Sequence, residues 1–293
     1  MYNIKSEFIM QKIGLVLAGG MAKGAFQIGL LKALNEYFTP EDFQIISCSS
    51  IGVLNGYAFA TNQIDEGIEM WKNIIPDNKR VYVTKMFKSP ALQDCIAQLY
   101  ENNSNVKTHL YGTLYNASKQ TLNYTNFQEI PDSLKQQYLR ASVAFPIFNS
   151  PIIINEEKFY DGAPIDNIPI YPLIDKDLDY IICIYFDQCN YTFENKEFDE
   201  KVLKIVYKDD KMIKGSICFE RDKISEMIDE GYNQTKEIFN EIFKNGRDNL
   251  DSIKQYIREF NQTHEPTFRL TGELVTSNCN RISKKLIRNT IVK

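Results

Sequence analysis

Three short stretches hold residues whose types and spacing suit acyl-transfer chemistry. The first is Ser47-Cys48-Ser49-Ser50-Ile51-Gly52-Val53-Leu54-Asn55, where an apolar run ends in serines and a helical run begins. The second lies upstream, Gly19-Gly20-Met21-Ala22-Lys23-Gly24, and the third downstream, Asp161-Gly162-Ala163. A serine hydroxyl is a weak nucleophile until a base shares its proton and donors receive the oxyanion formed on attack. A sharp strand-to-helix turn exposes the serine oxygen above the sheet and sets the next N–H, here that of Ile51, at a positive helix end. Gly52 lets that helix pass close to the strand. The usual elbow has glycine two residues before the serine. This chain has Cys48 there, whose Cβ must be accommodated. The plain alternative is a helix cap, which Ser49 or Ser50 would supply equally well.

Glycines after a buried strand let successive N–H groups converge on one anion, with a helix dipole behind them. Binding of a nucleotide phosphate is the competing use, but neither fingerprint fits. There is no Gly-x-Gly-x-x-Gly, and Lys23 precedes Gly24 instead of following the last glycine of a P-loop. The second strand ends Ile45-Ile46-Ser47-Cys48, without the acidic residue that would hold a ribose.

Together the three stretches closely resemble the patatin-like phospholipase family. Its members combine a Gly-rich oxyanion loop, a nucleophile elbow and a downstream Asp-Gly-Gly or Asp-Gly-Ala. The matching stretches are residues 14–25, 49–55 and 159–169, the last reading Phe-Tyr-Asp-Gly-Ala-Pro-Ile-Asp-Asn-Ile-Pro. The resemblance runs over about residues 13–187. The segment 222–243 also looks like the tail of bacterial members, while 246–293 lie outside it. It implies that Ser50 is the nucleophile and Asp161 the base of a dyad. The loop at Gly19, Gly20 and Met21, with Ile51, would form the oxyanion hole. Lys23, Gly24, Gly52, Asn55, Gly162 and Ala163 complete the motifs, with Asn55 bracing the elbow helix and Asp166 and Asn167 bracing the Asp161 loop. Met21 stands where the family has a third glycine, so a positive φ there would be strained. The resemblance implies neither metal nor organic cofactor.

A carboxylate serves a serine better as base if burial raises its pKa toward neutrality. Phe159-Tyr160 ahead of Asp161 is consistent with such a setting. The chain has two histidines, His109 and His264. Ser50, Asp161 and His264 follow the order of α/β-hydrolase triads, which keeps a Ser-Asp-His esterase open as an alternative. Against it, the serine falls on the second strand, early for that fold. A lipid-binding protein of the same fold, weakened or inactivated by Cys48 and Met21, is the alternative of a different class.

The elements that must position these groups follow from periodicity. Residues 13–18 form a continuous apolar run closed by Gly-Gly, a buried parallel strand. Ala25, Ile28, Leu31, Leu34 and Phe38 predict a helix over 22–38, ended by Thr39-Pro40. A second strand over 44–48 and helix over 51–61 repeat the pattern of a parallel doubly wound sheet. Further helices are expected at 64–75, 91–100 and 133–145. Residues 106–126 read as two paired strands, and 151–154 with 158–160 as a hairpin delivering Asp161. Residues 180–186 read as an internal strand, and 222–244 and 250–260 as helices. The fold class expected is a three-layer α/β/α with a mainly parallel sheet. An N-terminal extension (1–12) precedes the catalytic domain (13–190), and a mostly helical C-terminal region (191–293) packs on it.

At 293 residues and 43% hydrophobic content the chain can bury a large core. A net charge of −4 argues against a nucleic-acid binder, which is strongly basic. Six cysteines without a Cys-x-x-Cys pair fit a reducing cytoplasm better than a disulfide framework or zinc site. No signal-peptide core or membrane-spanning run is read, and residues 1–11 are expected to be poorly ordered. The basic segment 281–293 reads as a solvated helix, with an anionic membrane as its other use. The expected substrate is a lipid ester met by peripheral membrane contact.

Overall fold

The computed structural model describes residues 11–75, 81–86, 89–146, 148–186, 190–207, 218–264, 266 and 268–291. Residues 1–10, Cys189 and residues 292–293, on which some expectations fall, lie outside these. The first strand, β1 (Ile13–Leu17), is buried along its whole length and feeds a 3-10 turn (Met21–Lys23) and helix α1 (Gly24–Leu34). The expected helix thus starts tighter and ends sooner, because the glycine loop occupies its first turn. Strand β2 (Phe43–Cys48) and helix α2 (Ile51–Ala60) repeat the unit. Helix α3 (Ile64–Asn73), the short pieces β3 (Val81–Tyr82) and α4 (Val83–Met86), and α5 (Pro90–Asn102) follow.

The middle of the chain is β4 (His109–Asn116), β5 (Thr121–Asn126), α6 (Asp132–Ser142), β6 (Ile152–Ile154) and β7 (Glu157–Asp161). Next come β8 (Tyr180–Tyr185), β9 (Tyr191–Phe193), α7 (Lys196–Asp199), β10 (Val202–Val206) and β11 (Cys218–Phe219). Helices α8 (Arg221–Ile242) and α9 (Leu250–Thr263), strand β12 (Phe268–Leu270) and helix α10 (Gly272–Ile291) close the described chain.

The central sheet runs β10-β8-β1-β2-β4-β7-β6, with β5 also on β4. The pairs from β10 to β4 are parallel, and those of β4 with β5 and β7 and of β6 with β7 are antiparallel. This is the expected α/β class. Strand β8 is internal, as its continuous apolar run implied. The sheet does not stop at Asn190: β10 extends it from within the expected helical region, and β9 pairs in parallel with β12.

Side chains of β1 divide two cores. Leu15 and Leu17 join the cluster under α1, α2, α3 and α8, while Val16, with Ala18 just past the strand, joins Ile168, Leu173 and Tyr185 on the opposite face. That two-sided burial is why β1 lacks polar alternation.

Candidate active site

The geometry of the site follows from the register of β4. Strand β5 covers one edge of β4 from Tyr111 to Asn116. The other edge is shared: β2 lies along its first half, with Cys48 opposite Gly112, and β7 along its second, with Asp161 opposite Leu114. One partner is parallel and the other antiparallel, so their C-terminal ends face each other across Thr113. The two residues that leave those ends are the elbow serines and Asp161. Ser49 Oγ hydrogen-bonds Thr113 Oγ1 at 2.8 Å, and Gly162 N–H donates to the Thr113 carbonyl at 3.3 Å.

At this junction Ser50 Oγ donates to Asp161 Oδ2 at 2.5 Å. Asp161 is wholly buried, and Ser50 is 5% exposed. Burial pushes the Asp161 carboxyl up to about 7, against the Ser50 hydroxyl and Ala163 N–H bonds that favour its charged form. The Ala163 N–H lies 2.8 Å from Oδ1, which leaves Oδ2 to the serine. Ser50 holds φ 53° and ψ −128°, a strained strand-to-helix turn for a residue with a side chain. A carboxylate titrating near neutrality can take and return the proton of a directly bonded alcohol.

The glycine loop faces the start of α2. The Gly19 N–H is not available to an anion, because it donates to the Asn167 carbonyl at 3.1 Å. The implied role of Gly19 as an oxyanion donor is corrected accordingly: Gly19 shapes the loop, wedged between Ser50 and Asn167. Among the described residues, the N–H groups of Gly20, Met21 and Ile51 have no protein acceptor. Met21 adopts φ 52°, the left-handed region in which the family's glycine would be unstrained.

Comparison with known proteins decides the family. The sequence profile described as Patatin-like phospholipase matches residues 15–174. The chain belongs to the patatin-like phospholipase family. Curated relatives include Lysophospholipase NTE1 of Cryptococcus neoformans, 28% identical over 199 residues, which are 59% of this chain and 11% of that protein. Patatin-like phospholipase domain-containing protein 7 of Rattus norvegicus is 27% identical over 169 residues, 54% of this chain and 12% of that protein. The chain thus matches about a tenth of these relatives' length. The solved structure of VipD from Legionella pneumophila has a TM-score of 0.48 at 12% identity, over 79% of this chain and 67% of that one.

The patatin-like motifs are supported by residues that no short pattern contains. Asn55 Nδ2 donates to the Gly24 carbonyl and to Gln27 Oε1, each at 2.9 Å, while Asn55 Oδ1 accepts from Trp71 Nε1. One buried amide therefore ties the elbow helix α2 to α1 and α3. Asn167 returns the Gly19 bond through its own Nδ2, which donates to the Gly19 carbonyl at 3.1 Å. Ser49 Oγ also donates to the Asp166 carbonyl, and Tyr124 OH donates to Asp166 Oδ2 at 2.6 Å. Gln27, Trp71, Thr113 and Tyr124 escaped the sequence reading. The one signal available for Thr113 and Tyr124 was their place in a Thr- and Tyr-rich hairpin.

Two expectations about crowding resolve at α2. A Cβ on Gly52 would lie 2.7 Å from the Leu17 carbonyl, so glycine is needed for the close pass over β1. The Cys48 thiol is accommodated because Gly56, one helical turn on, offers no side chain: a Cβ there would sit 2.5 Å from Sγ. Lys23 is half-buried at the end of the 3-10 turn, one residue before the buried Gly24. His264 ends α9, its ring stacked on Phe260 at 4.1 Å, and His109 Nδ1 meets Asn126 Nδ2. Asp161 meets the serine with no imidazole between them. Among the described residues there is no cluster of three or more metal-ligating side chains, and no helix is long and apolar enough to cross a membrane.

Proposed function

We propose that the protein is a serine acyl hydrolase that cleaves carboxylic esters of lipids, of phospholipase A or lysophospholipase type, through a Ser50–Asp161 dyad. The observation that carries this reading is the direct 2.5 Å hydrogen bond from Ser50 Oγ to a buried Asp161 Oδ2. Membership of the patatin-like phospholipase family and the names of its lysophospholipase relatives support the substrate class.

In this mechanism Ser50 Oγ attacks the ester carbonyl carbon while its proton passes to Asp161 Oδ2. The oxyanion is received by the N–H groups of Gly20, Met21 and Ile51, which need no reorganisation when charge develops. Collapse of the tetrahedral intermediate expels the alcohol, which takes the proton from Asp161. A water, deprotonated by the same carboxylate, then releases the acid and restores Ser50. The burial of Ser50 and Asp161 strengthens each of these interactions. The free thiols of Cys48, Cys95, Cys183 and Cys279 support a reducing, cytoplasmic setting. The exposed Tyr171, Phe268 and Leu274 support peripheral contact with a lipid surface.

The test is covalent labelling by a fluorophosphonate together with hydrolysis of a short nitrophenyl ester. The wild type is expected to label at Ser50 and turn over, and Ser50→Ala to do neither. Folded protein that does not label would favour a lipid-binding role, and unchanged turnover by Ser50→Ala would refute the nucleophile. Loss of turnover in His264→Gln would favour the triad instead.

A further inference from the structure

Between the loop that follows Asp161 and helix α10 lies a cavity of about 270 Å3. Its inner wall is made by Ala163, Asn167 and Phe186, each a direct neighbour of the dyad or the oxyanion loop. The Ala163 N–H holds Asp161, and Asn167 is clasped to Gly19. The Phe186 ring occupies the space beside Gly20 where a side chain would otherwise project. The outer wall includes Leu270, Leu274 and Val275, which come from β12 and α10, beyond the family match at residue 174.

Among the described residues the lining also has polar side chains, most of them already engaged; the buried Tyr185 hydroxyl has no hydrogen-bond partner. Asn278 Nδ2 donates to the Ile165 carbonyl, and Glu194 Oε2 accepts from the Gly272 N–H. Asp166 accepts from Tyr124, and Asn167 donates to Gly19. What remains for an occupant is mainly hydrocarbon, the usual character of a small-ligand pocket. Tyr171 and Leu274 belong to the same lining and are 53% and 40% exposed, an apolar rim facing solvent. The volume lies just below the ~300 Å3 at which ordinary ligand pockets begin. It suits one unbranched chain, not a pair.

We propose that this cavity holds the single acyl chain of the substrate and that α10 and β12, through Val275, Leu274 and Leu270, limit the chain length accepted. The proposal deepens the Ser50 hydrolase reading and rests on it. A chain seated there has its carboxyl end at the Ala163–Asn167 wall, against the residues that hold Asp161 and Gly19. Its far end runs toward the Tyr171–Leu274 rim, where a lipid surface would deliver it.

The test compares wild type, Val275→Trp and Ile174→Phe, the latter narrowing the same cavity from another element. Each is assayed on nitrophenyl butyrate and laurate, and for binding of the fluorescent fatty acid cis-parinaric acid. The laurate-to-butyrate ratio of kcat/KM is expected to fall by about tenfold or more in both variants, the scale on which a filled apolar pocket discriminates. Parinarate affinity should fall with it. The ratio is internal to each protein, so a partly unfolded variant does not mimic the effect. An unchanged ratio and unchanged parinarate binding in both variants would overturn the cavity while leaving the Ser50 reading intact. Parinarate binding that Val275→Trp abolishes, in a protein that hydrolyses neither ester, would sustain the cavity and sink the hydrolase.

Discussion

The loop that closes the site begins and ends on a buried carboxylate, and the two differ in what they face. Asp161 and Asp166 are both pushed up to about 7 by burial, and each is held down by one side-chain hydroxyl and one backbone N–H. For Asp161 the hydroxyl is an aliphatic alcohol on a strained elbow, backed by unpaired N–H groups. For Asp166 it is the phenol of Tyr124, whose own pKa burial and the neighbouring carboxylate drive further up. A phenol held protonated is a fixed donor, whereas an alcohol beside backbone N–H groups without a protein acceptor can become a nucleophile. A perturbed carboxylate therefore marks a candidate, and its partner decides between chemistry and architecture.

The sharpest way to break this comparison is to remove one charge at a time. Asp161→Asn should lower kcat/KM for a nitrophenyl ester by about 10²–10⁴-fold, the range for loss of a general base. Asp166→Asn keeps an acceptor for Tyr124 and should cost no more than about tenfold, or about 1.4 kcal/mol of positioning. In the wild type, kcat/KM should rise with pH through about 7 as Asp161 ionises, and Asp166→Asn should keep that inflection. Equal losses from the two substitutions would abolish the distinction.

Stability sharpens the comparison next. Each carboxyl goes from 3.8 in an exposed setting to about 7 when folded. Between those values the folded state holds a proton that the unfolded state has lost. The contribution is therefore present below about pH 4 and is lost as pH rises to about 7. Asp166→Asn removes one such term. Relative to wild type, its melting temperature should gain by a few degrees between pH 5 and pH 8, an effect of a few kcal/mol at most. A difference from wild type that stays constant with pH would show that Asp166 is not buried as a titrating acid.

How much of this was legible in the sequence depended on whether local or distant residues do the work. The elbow is a local turn, so the need for Gly52 could be inferred from its neighbours in the chain, whereas Asn55 and the strain at Met21 came with the family resemblance. The meeting of Ser50 with Asp161 was likewise inferred from resemblance. It depends on β2 and β7 sharing one edge of β4, a register no local pattern encodes. The same holds for Thr113 and Tyr124, which serve the site from the hairpin opposite. The C-terminal region, residues 191–293, was read as mostly helical because its long amphipathic helices dominate the pattern. Strand β10 is short, and its Lys204 sits buried on Asp199, which masks the apolar run.

The smallest effect tests the partner itself. Tyr124→Phe removes one hydroxyl and keeps the ring that stacks on Tyr171 at 5.6 Å and 17°. Asp166 then loses the side-chain donor that lowered its pKa, so its folded pKa moves further up. At pH 8 the lost bond is charge-assisted and should cost about 1.5–3 kcal/mol. At pH 5, where folded Asp166 is neutral, it should cost about 0.5–1.5 kcal/mol. Denaturant melts at the two pH values would read this difference, while labelling of Ser50 by the fluorophosphonate should persist because its own base is untouched. A penalty that stays constant or shrinks with rising pH would mean that Tyr124 does not favour the Asp166 charge, and the contrast between the two ends of the loop would lose its physical basis.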